Sequence, residues 1–482
     1  MWRRPGLTLG HISPWRFSPA VRVPQAERSG HLYVVGKTGK GKSKFLQSCL
    51  FQDIVAGRGC GVIDPHADLI ADLLAMLDKE GFFKQDANIK RVIYLNPADH
   101  RLVVPFNVLA TPGEPYEIAQ HVIEAFRRAW PEALANAPHW ANIMLHALLL
   151  LIRVERTLID LPTLLLDKRQ RDLWLDQAQN EDLSAFFHQR FDQWGKQAPV
   201  MKESTLNKVT ALTLNPHLRR MLGQRENRLD FRRILDQGQV LLVDLGHCDD
   251  ESQRLIGNLI TTGIEQAAFS RHNISPVERR SFYLYIDEFH DYSAGAVSTR
   301  TLAKILSGAR KFGLHLTLSH QNLGQLTAQT RSAVLGNVWT KVLFGVAEED
   351  AHHLARLVGL GTIDPEAVKH AAQTETQHPL YAPLTDQWHE WATLLANQKP
   401  RQAVVRDQQG RTRLFWTEKL PEKRLDELTF ERLQQQALSR YAIPAADAEK
   451  PGIERGERGE AADDWPSYEP AAPLGRERNL GA

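Results

Sequence analysis

Cysteine is scarce in these 482 residues. Only Cys49, Cys60 and Cys248 occur, none at C-x-x-C spacing, which leaves no basis for a disulfide framework or a cysteine zinc site. The three thiols are expected to be reduced and structural. Long apolar runs are also missing: the most apolar helical stretch, Ile143 to Ile152, is about half of what a bilayer crossing needs. The N-terminus, Met1-Trp2-Arg3-Arg4, leads into Pro- and Gly-containing sequence without the apolar core of a signal peptide. Charge of one sign does not dominate either. With 59 Lys and Arg against 57 Asp and Glu, the net charge of +2 makes the chain no polycation, so a nucleic-acid site would have to come from local clustering or from a ring of subunits. For His315, His320 and the pair His352-His353 a metal centre is not expected. These absences fit a soluble, cytosolic protein, and at 43% hydrophobic residues it is long enough for more than one domain.

Against that background one segment stands out. Residues 36–43 read Gly36-Lys37-Thr38-Gly39-Lys40-Gly41-Lys42-Ser43, a full G-x-x-x-x-G-K-S phosphate loop. It follows the apolar run Leu32–Val35 and precedes a helical pattern from Lys44, which is the required order of strand, loop and helix. Glycines allow positive φ and close approach of backbone N–H groups to a polyphosphate. Lys42 is placed to reach the β- and γ-phosphates and Ser43 to hold Mg2+, so ATP and Mg2+ are the expected ligands.

A second motif supplies the other side of the metal. The run Ser281–Ile286 is apolar and β-rich and ends in Asp287-Glu288. A buried strand ending there offers Asp287 to the metal and Glu288 as the base that polarises the attacking water.

Apolar strand patterns alternating with helical ones predict an α/β fold. Strands are expected at Leu32–Val35, Gly59–Asp64, Arg91–Leu95, Gln239–Asp244, the Asp287 run, Leu314–Ser319 and Lys341–Val346. Such uniformly apolar runs belong in a mostly parallel sheet covered on both faces. Between about 112 and 230 the period turns helical: Ile118, Val122, Ile123 and Phe126 share one face, as do Leu145, Leu148, Leu149 and Ile152, and then Leu206, Val209, Leu212 and Leu214. The chain therefore divides into an N-terminal arm (1–30), a first core part (31–111), an inserted all-α domain (112–230), a second core part (231–363), an extension with a hairpin around Gln409-Gly410 (364–442), and a disordered Pro-, Gly- and charge-rich tail (443–482).

Taken in order, the phosphate loop, Gly61-Val62-Ile63-Asp64-Pro65-His66-Ala67-Asp68, the α insertion, Ile286-Asp287-Glu288-Phe289 and Gly313–Gln321 resemble the HerA/FtsK superfamily of ring ATPases. Within it the chain looks most like the type IV secretion and conjugation coupling proteins. The resemblance covers roughly residues 20 to 360 and implies a RecA-like P-loop core and a hexamer that hydrolyses ATP between subunits to move DNA through its channel. It also implies Gln321 as the glutamine that senses the γ-phosphate and Arg310 as an arginine finger toward a neighbour's nucleotide. An amide ending a strand beside the Asp287 strand can bond both a phosphate oxygen and the attacking water. For Arg310 a solvated helix end beside Lys311 is an equal alternative. Coupling proteins usually carry N-terminal transmembrane helices, which are not seen here, and position 67 is Ala where glycine is common. Lys40 adds a cation inside the loop, for nucleotide binding or as tolerated surface.

The expected function is thus a cytoplasmic ATP-driven DNA translocase, brought to the inner face of a membrane by a partner such as a relaxase or secretion channel. Two alternatives stand beside it: a motor for DNA-end processing or antiviral defence with a separate nuclease, and a nucleotide-gated protein-loading factor. Trp130, Trp140, Trp174 and Trp194 read as core of the α domain. The basic groups Lys168-Arg169/Arg171 and Arg219-Arg220/Arg225/Arg228 read as solvated helix faces that sixfold repetition would turn into a phosphate track.

Overall fold

The computed structural model describes residues 6–15, 18–134, 137–193, 205–209, 213–292, 302, 305–359, 384–421, 424–438 and 440–448. Its strands are β1 (Leu7–His11), β2 (Ala20–Val23), β3 (Leu32–Val35), β4 (Gly59–Asp64), β5 (Val92–Leu95), β6 (Leu102–Val103), β7 (Val240–Asp244), β8 (Phe282–Ile286), β9 (Leu314–His320), β10 (Thr340–Leu343), β11 (Gln402–Arg406), β12 (Thr412–Trp416) and β13 (Ile443–Pro444). Eleven of them form one sheet in the order β2-β1-β12-β11-β10-β3-β9-β8-β4-β7-β5.

From β10 through β5 every pairing is parallel. Every residue of β3, β4, β5, β7, β8, β9 and β10 is buried, which explains the near-continuous apolar runs of β3, β5, β7 and β8; β9 alternates instead, Leu314, Leu316 and Leu318 with His315, Thr317, Ser319 and His320, yet its polar side chains are buried as well. Registers align the strands' C-terminal ends: Val35 lies opposite His320, Ile286 opposite Leu318, and Asp64 opposite Asp244. The strand after the phosphate loop in sequence is not its neighbour in space. Strand β9 lies between β3 and β8, so the residue that follows it, Gln321, sits between the loop and the Asp287-Glu288 pair. Ligands in open parallel sheets bind at this carboxyl edge.

The other edge differs from the sequence reading. Residues placed in an N-terminal arm form β1 and β2, and the late hairpin β11–β12 is paired with β10 on one side and β1 on the other. Arm and extension are thus continuous with the core sheet. Leu7, Leu9, Val21 and Val23 are buried there, and β1 joins the sheet through His11 opposite Trp416, some four hundred residues away, a relation no local pattern encodes.

The insertion is helical where described. Ile118, Val122, Ile123 and Phe126 of the helix Pro115–Ala129 are buried, and that helix packs on the long helix Asp250–Phe269. In the helix Pro138–Arg153, Leu148 is buried while Leu145, Leu149 and Ile152 are half-buried; the deepest face is Ile143, Met144, Ala147, Leu150 and Leu151. Val209 is buried, Leu206 is half-buried, Leu214 is exposed, and Leu212 lies outside the described residues. Trp140 and Trp174 are core, Trp130 packs against it, and Trp194 lies outside the described residues. Arg171 is no solvated residue: it is buried, donates to the Leu164 carbonyl and Asp192, and lies against the Phe187 and Phe191 rings.

Residues 443–448, assigned to the tail, are ordered by β13 pairing with β6 and by the buried Tyr441 beside it. The rest of the tail lies outside the described residues, as do 360–383. Among the described residues no helix is long and apolar enough to cross a membrane, and no cluster of three metal-ligating side chains occurs.

Candidate nucleotide site

The loop between β3 and helix α1 (Lys42–Val55) takes the conformation its glycines permit. Gly39 has φ +77° and Gly41 φ +102°, in the left-handed region. A Cβ on Gly39 would meet nothing within 4 Å, so its face is open. A Cβ on Gly36 would strike Phe344 at 2.5 Å, so the first glycine serves close strand packing. The Lys37 N–H donates to the Gly345 carbonyl at 2.8 Å, fixing the loop to the end of β10.

Lys42 is buried and its Nζ donates to the Gly36 carbonyl at 2.5 Å, folded across its own loop. Burial pulls its pKa below the ordinary lysine value, opposed by the charges of Glu288 and Asp287. Ser43 is exposed at the N-terminus of α1. The side chain of Lys40 leaves the cradle: its Nζ donates to the Gln398 carbonyl at 2.7 Å and its carbonyl accepts from Arg401 N–H at 2.9 Å. The segment before β11 therefore braces the outside of the loop, and Lys40 contributes a tie rather than a cation facing the open side.

Asp287 and Glu288 follow β8 and are both buried. Burial pushes the Asp287 carboxyl above its usual range, with the neighbouring Glu288 charge acting in the same direction. Burial would do the same to Glu288, but contacts with His290 and Gln321, together with the Lys42 charge, outweigh it and hold its pKa low. Glu288 also has φ +46°, a left-handed conformation that costs a non-glycine residue about 1 kcal/mol or more. The turn that aims its carboxylate into the site is thus held against local preference.

Gln321 joins the two motifs. Its Nε2 donates to Glu288 Oε1 at 3.0 Å, and its Oε1 accepts from the Thr38 hydroxyl at 3.0 Å. Next to it, Gln325 Oε1 accepts from the Gln321 and Asn322 N–H groups, both at 3.2 Å. Neither Thr38's role in this bridge nor Gln325 was legible beforehand, because both depend on strand order.

Asp64 and Asp244 end the adjacent strands β4 and β7. Asp64 accepts from His66 and Ile70 N–H groups, shaping the entry to helix α2 (Asp68–Lys79), and burial raises its pKa to about 6. Asp244 accepts from Gly246 N–H and the Tyr94 hydroxyl. These carboxylates are spent on loop geometry. Ala67, at φ +64°, occupies a left-handed position, which gives the physical reason glycine suits this place.

Arg310 lies apart. It is exposed in the turn Ala309–Phe312, just before the N-terminal end of β9, with its guanidinium carbon 4.2 Å from the Trp339 ring centre. The seven residues of β9 span about 23 Å at about 3.3 Å each, which separates Arg310 from Gln321 at the strand's other end.

The donor set fits the expected ligands. Ser43 and Asp287 are hard oxygen donors of the type Mg2+ takes, beside an open anion cradle and a buried ammonium. Fold and site together define an α/β P-loop nucleotide-binding protein in which β9 lies between the strands that carry the phosphate loop and Asp287-Glu288.

Comparison with known proteins carries the identification further. The family model for the type IV secretion-system coupling protein DNA-binding domain matches residues 17–405, and the chain belongs to that family. Among solved structures, the chain is similar to the bacterial conjugative coupling protein TrwBdeltaN70, with TM-score 0.60 and 18% identity, covering 88% of this chain and 92% of that one. The plasmid coupling protein TrwB in complex with ADP and Mg2+ gives TM-score 0.57 and 18% identity over 84% of this chain and 89% of that one. VirB4 of Thermoanaerobacter pseudethanolicus gives TM-score 0.54 and 14% identity over 86% and 97%. At these identities the likenesses establish a shared fold. No curated protein matches.

Proposed function

We propose that this protein is an ATP-hydrolysing ring motor that translocates DNA, in the manner of the coupling proteins. The observation that carries the reading is Gln321 spanning the phosphate loop and the Glu288 carboxylate, since hydrolysis needs these groups around one point. Family membership supports DNA as the track.

In this reading Gly36 to Gly41 cradle the phosphates, Lys42 leaves the Gly36 carbonyl for the β- and γ-phosphates, and Ser43 and Asp287 hold Mg2+. The metal neutralises charge on the β- and γ-oxygens when bound. Glu288 accepts the proton of the water whose oxygen bonds to the γ-phosphorus as the bond to the bridging oxygen breaks. Gln321 exchanges its Thr38 contact for the γ-phosphate and the water. Lys42 and Gln321 both hold the Glu288 pKa down, so their transfer to the nucleotide strengthens the base only once ATP is seated.

Arg310 serves a neighbouring subunit's nucleotide, because the length of β9 keeps it from its own. That requirement makes the working unit a ring, which we take to be a hexamer. Exposed basic residues such as Arg219 and Arg225, repeated around a ring, supply a track for phosphates. We place the motor in the cytoplasm, with a relaxase, channel or nuclease as partner and any approach to a membrane made through that partner.

The test is ATP-dependent displacement of streptavidin from the biotinylated end of a DNA fragment. Displacement with ATP and none with a non-hydrolysable analogue is expected. DNA binding without ATP-driven displacement would overturn the motor reading.

A further inference from the structure

Glu288 has two carboxylate oxygens, and only Oε1 is taken up by Gln321. The second, Oε2, faces His290 Nδ1 at 3.3 Å. The other ring nitrogen, Nε2, lies 3.2 Å from Gln325 Nε2 and 3.6 Å from Asp291 Oδ1.

The orientation of Gln325 assigns the proton of the neutral ring. Its Oε1 accepts from two backbone N–H groups, those of Gln321 and Asn322, so the atom facing His290 is the NH2 donor and not the oxygen. A donor there requires a lone pair on His290 Nε2. The proton of the neutral ring is then on Nδ1, the nitrogen aimed at Glu288.

A closed circuit results. Glu288 is held at one oxygen by Gln321 and turns the other to His290 Nδ1 at 3.3 Å, where neither atom has another hydrogen-bond partner among the described residues; His290 faces Gln325; and Gln325 is held by the backbone of Gln321 and Asn322. Glu288 needs this support because its left-handed φ is locally unfavourable and its neighbour Asp287 is turned to a different task.

We infer that His290 is a positioning residue for the base, donating from Nδ1–H to Glu288 Oε2 and leaving Oε1 to exchange Gln321 for the attacking water. The inference rests on Glu288 being the base. An oxygen fixed by the ring cannot swing toward Lys42, so the carboxylate stays aimed when Gln321 moves to the nucleotide. Loss of aim lowers the rate of the proton-transfer step and leaves ATP binding as it was.

The experiment compares His290→Ala, His290→Asn and His290→Gln in the full chain, with Glu288→Gln as control, by steady-state ATP hydrolysis and melting temperature. Asparagine puts an amide nitrogen near the place of Nδ1, whereas glutamine puts it near Nε2. Expected are a kcat roughly tenfold lower for His290→Ala with KM for ATP within about twofold, recovery of most of the rate in His290→Asn, and no recovery in His290→Gln. Wild-type kcat in His290→Ala, a change confined to KM, or equal losses in Asn and Gln variants would overturn it. If His290→Ala melts far below the wild type, the Asn and Gln pair decides alone. Undiminished turnover in Glu288→Gln would instead remove the base assignment, and the inference with it.

Discussion

The Thr38 hydroxyl donates to the Gln321 carboxamide at 3.0 Å, although the two residues belong to different motifs on neighbouring strands. The bond crosses the mouth of the phosphate loop, where the γ-phosphate has to enter. In the proposed mechanism ATP binding breaks it, and its free energy is then subtracted from the affinity.

Replacing Thr38 by Val removes the donor and keeps the shape. A hydrogen bond of this kind contributes about 0.5–1.5 kcal/mol net, so ATP should bind up to about tenfold more tightly in Thr38→Val. Titration with a fluorescent ATP analogue reads this directly, and unchanged or weaker binding would show that the bond is no latch.

Arg310 is stacked on Trp339 at the sheet edge opposite the nucleotide loop. Mixing Arg310→Ala subunits into wild-type rings should depress ATP turnover more steeply than their fraction, since each spoils a neighbour's site. Loss in strict proportion would place the arginine outside catalysis in trans.

Much of this site was readable before the fold was known. The phosphate loop and Asp287-Glu288 are local patterns whose chemistry depends on spacing within a few residues. Gln321 was readable because a strand and a resemblance pointed at it. The contact of Thr38 with Gln321 and the roles of His290 and Gln325 were not, because these arise only when β9 is laid between β3 and β8. The same holds for Arg171, whose charge suggests a solvated face and whose burial depends on Asp192 and two phenylalanine rings. Lys40 read as a further cation for nucleotide or as tolerated surface, and the Gln398 carbonyl that its ammonium meets comes from a segment hundreds of residues later.

Ala67 carries a left-handed φ of +64° at the start of α2. Ala67→Gly should relieve that strain and raise stability by about 1 kcal/mol in urea or thermal unfolding. A loss of stability would mean that the Ala67 methyl contributes more by packing than its backbone costs.

His31 is buried at the start of β3, where Nε2–H donates to the Leu306 carbonyl and Nδ1 accepts from Leu316 N–H. Both nitrogens are committed, so the folded state holds the neutral ring, and burial lowers its pKa to about 4. His315 and His320 are likewise lowered to about 3, chiefly by burial. The unfolded chain takes up these protons near pH 6.5 and the folded one does not. Stability should therefore be level above pH 6.5 and fall progressively as pH drops toward 4. A melting temperature that stays constant from pH 7 to pH 5 would contradict this.

The most direct test of the central claim is steady-state ATP hydrolysis by the purified protein without nucleic acid, with single-stranded DNA and with duplex, at low and moderate salt, with Lys42→Ala and Glu288→Gln as controls. The account predicts strong stimulation by one form of DNA that fades as salt rises, no nucleotide binding in Lys42→Ala, and ATP bound but unhydrolysed in Glu288→Gln. Basal turnover untouched by either DNA would contradict it and point to a partner-gated loading factor instead.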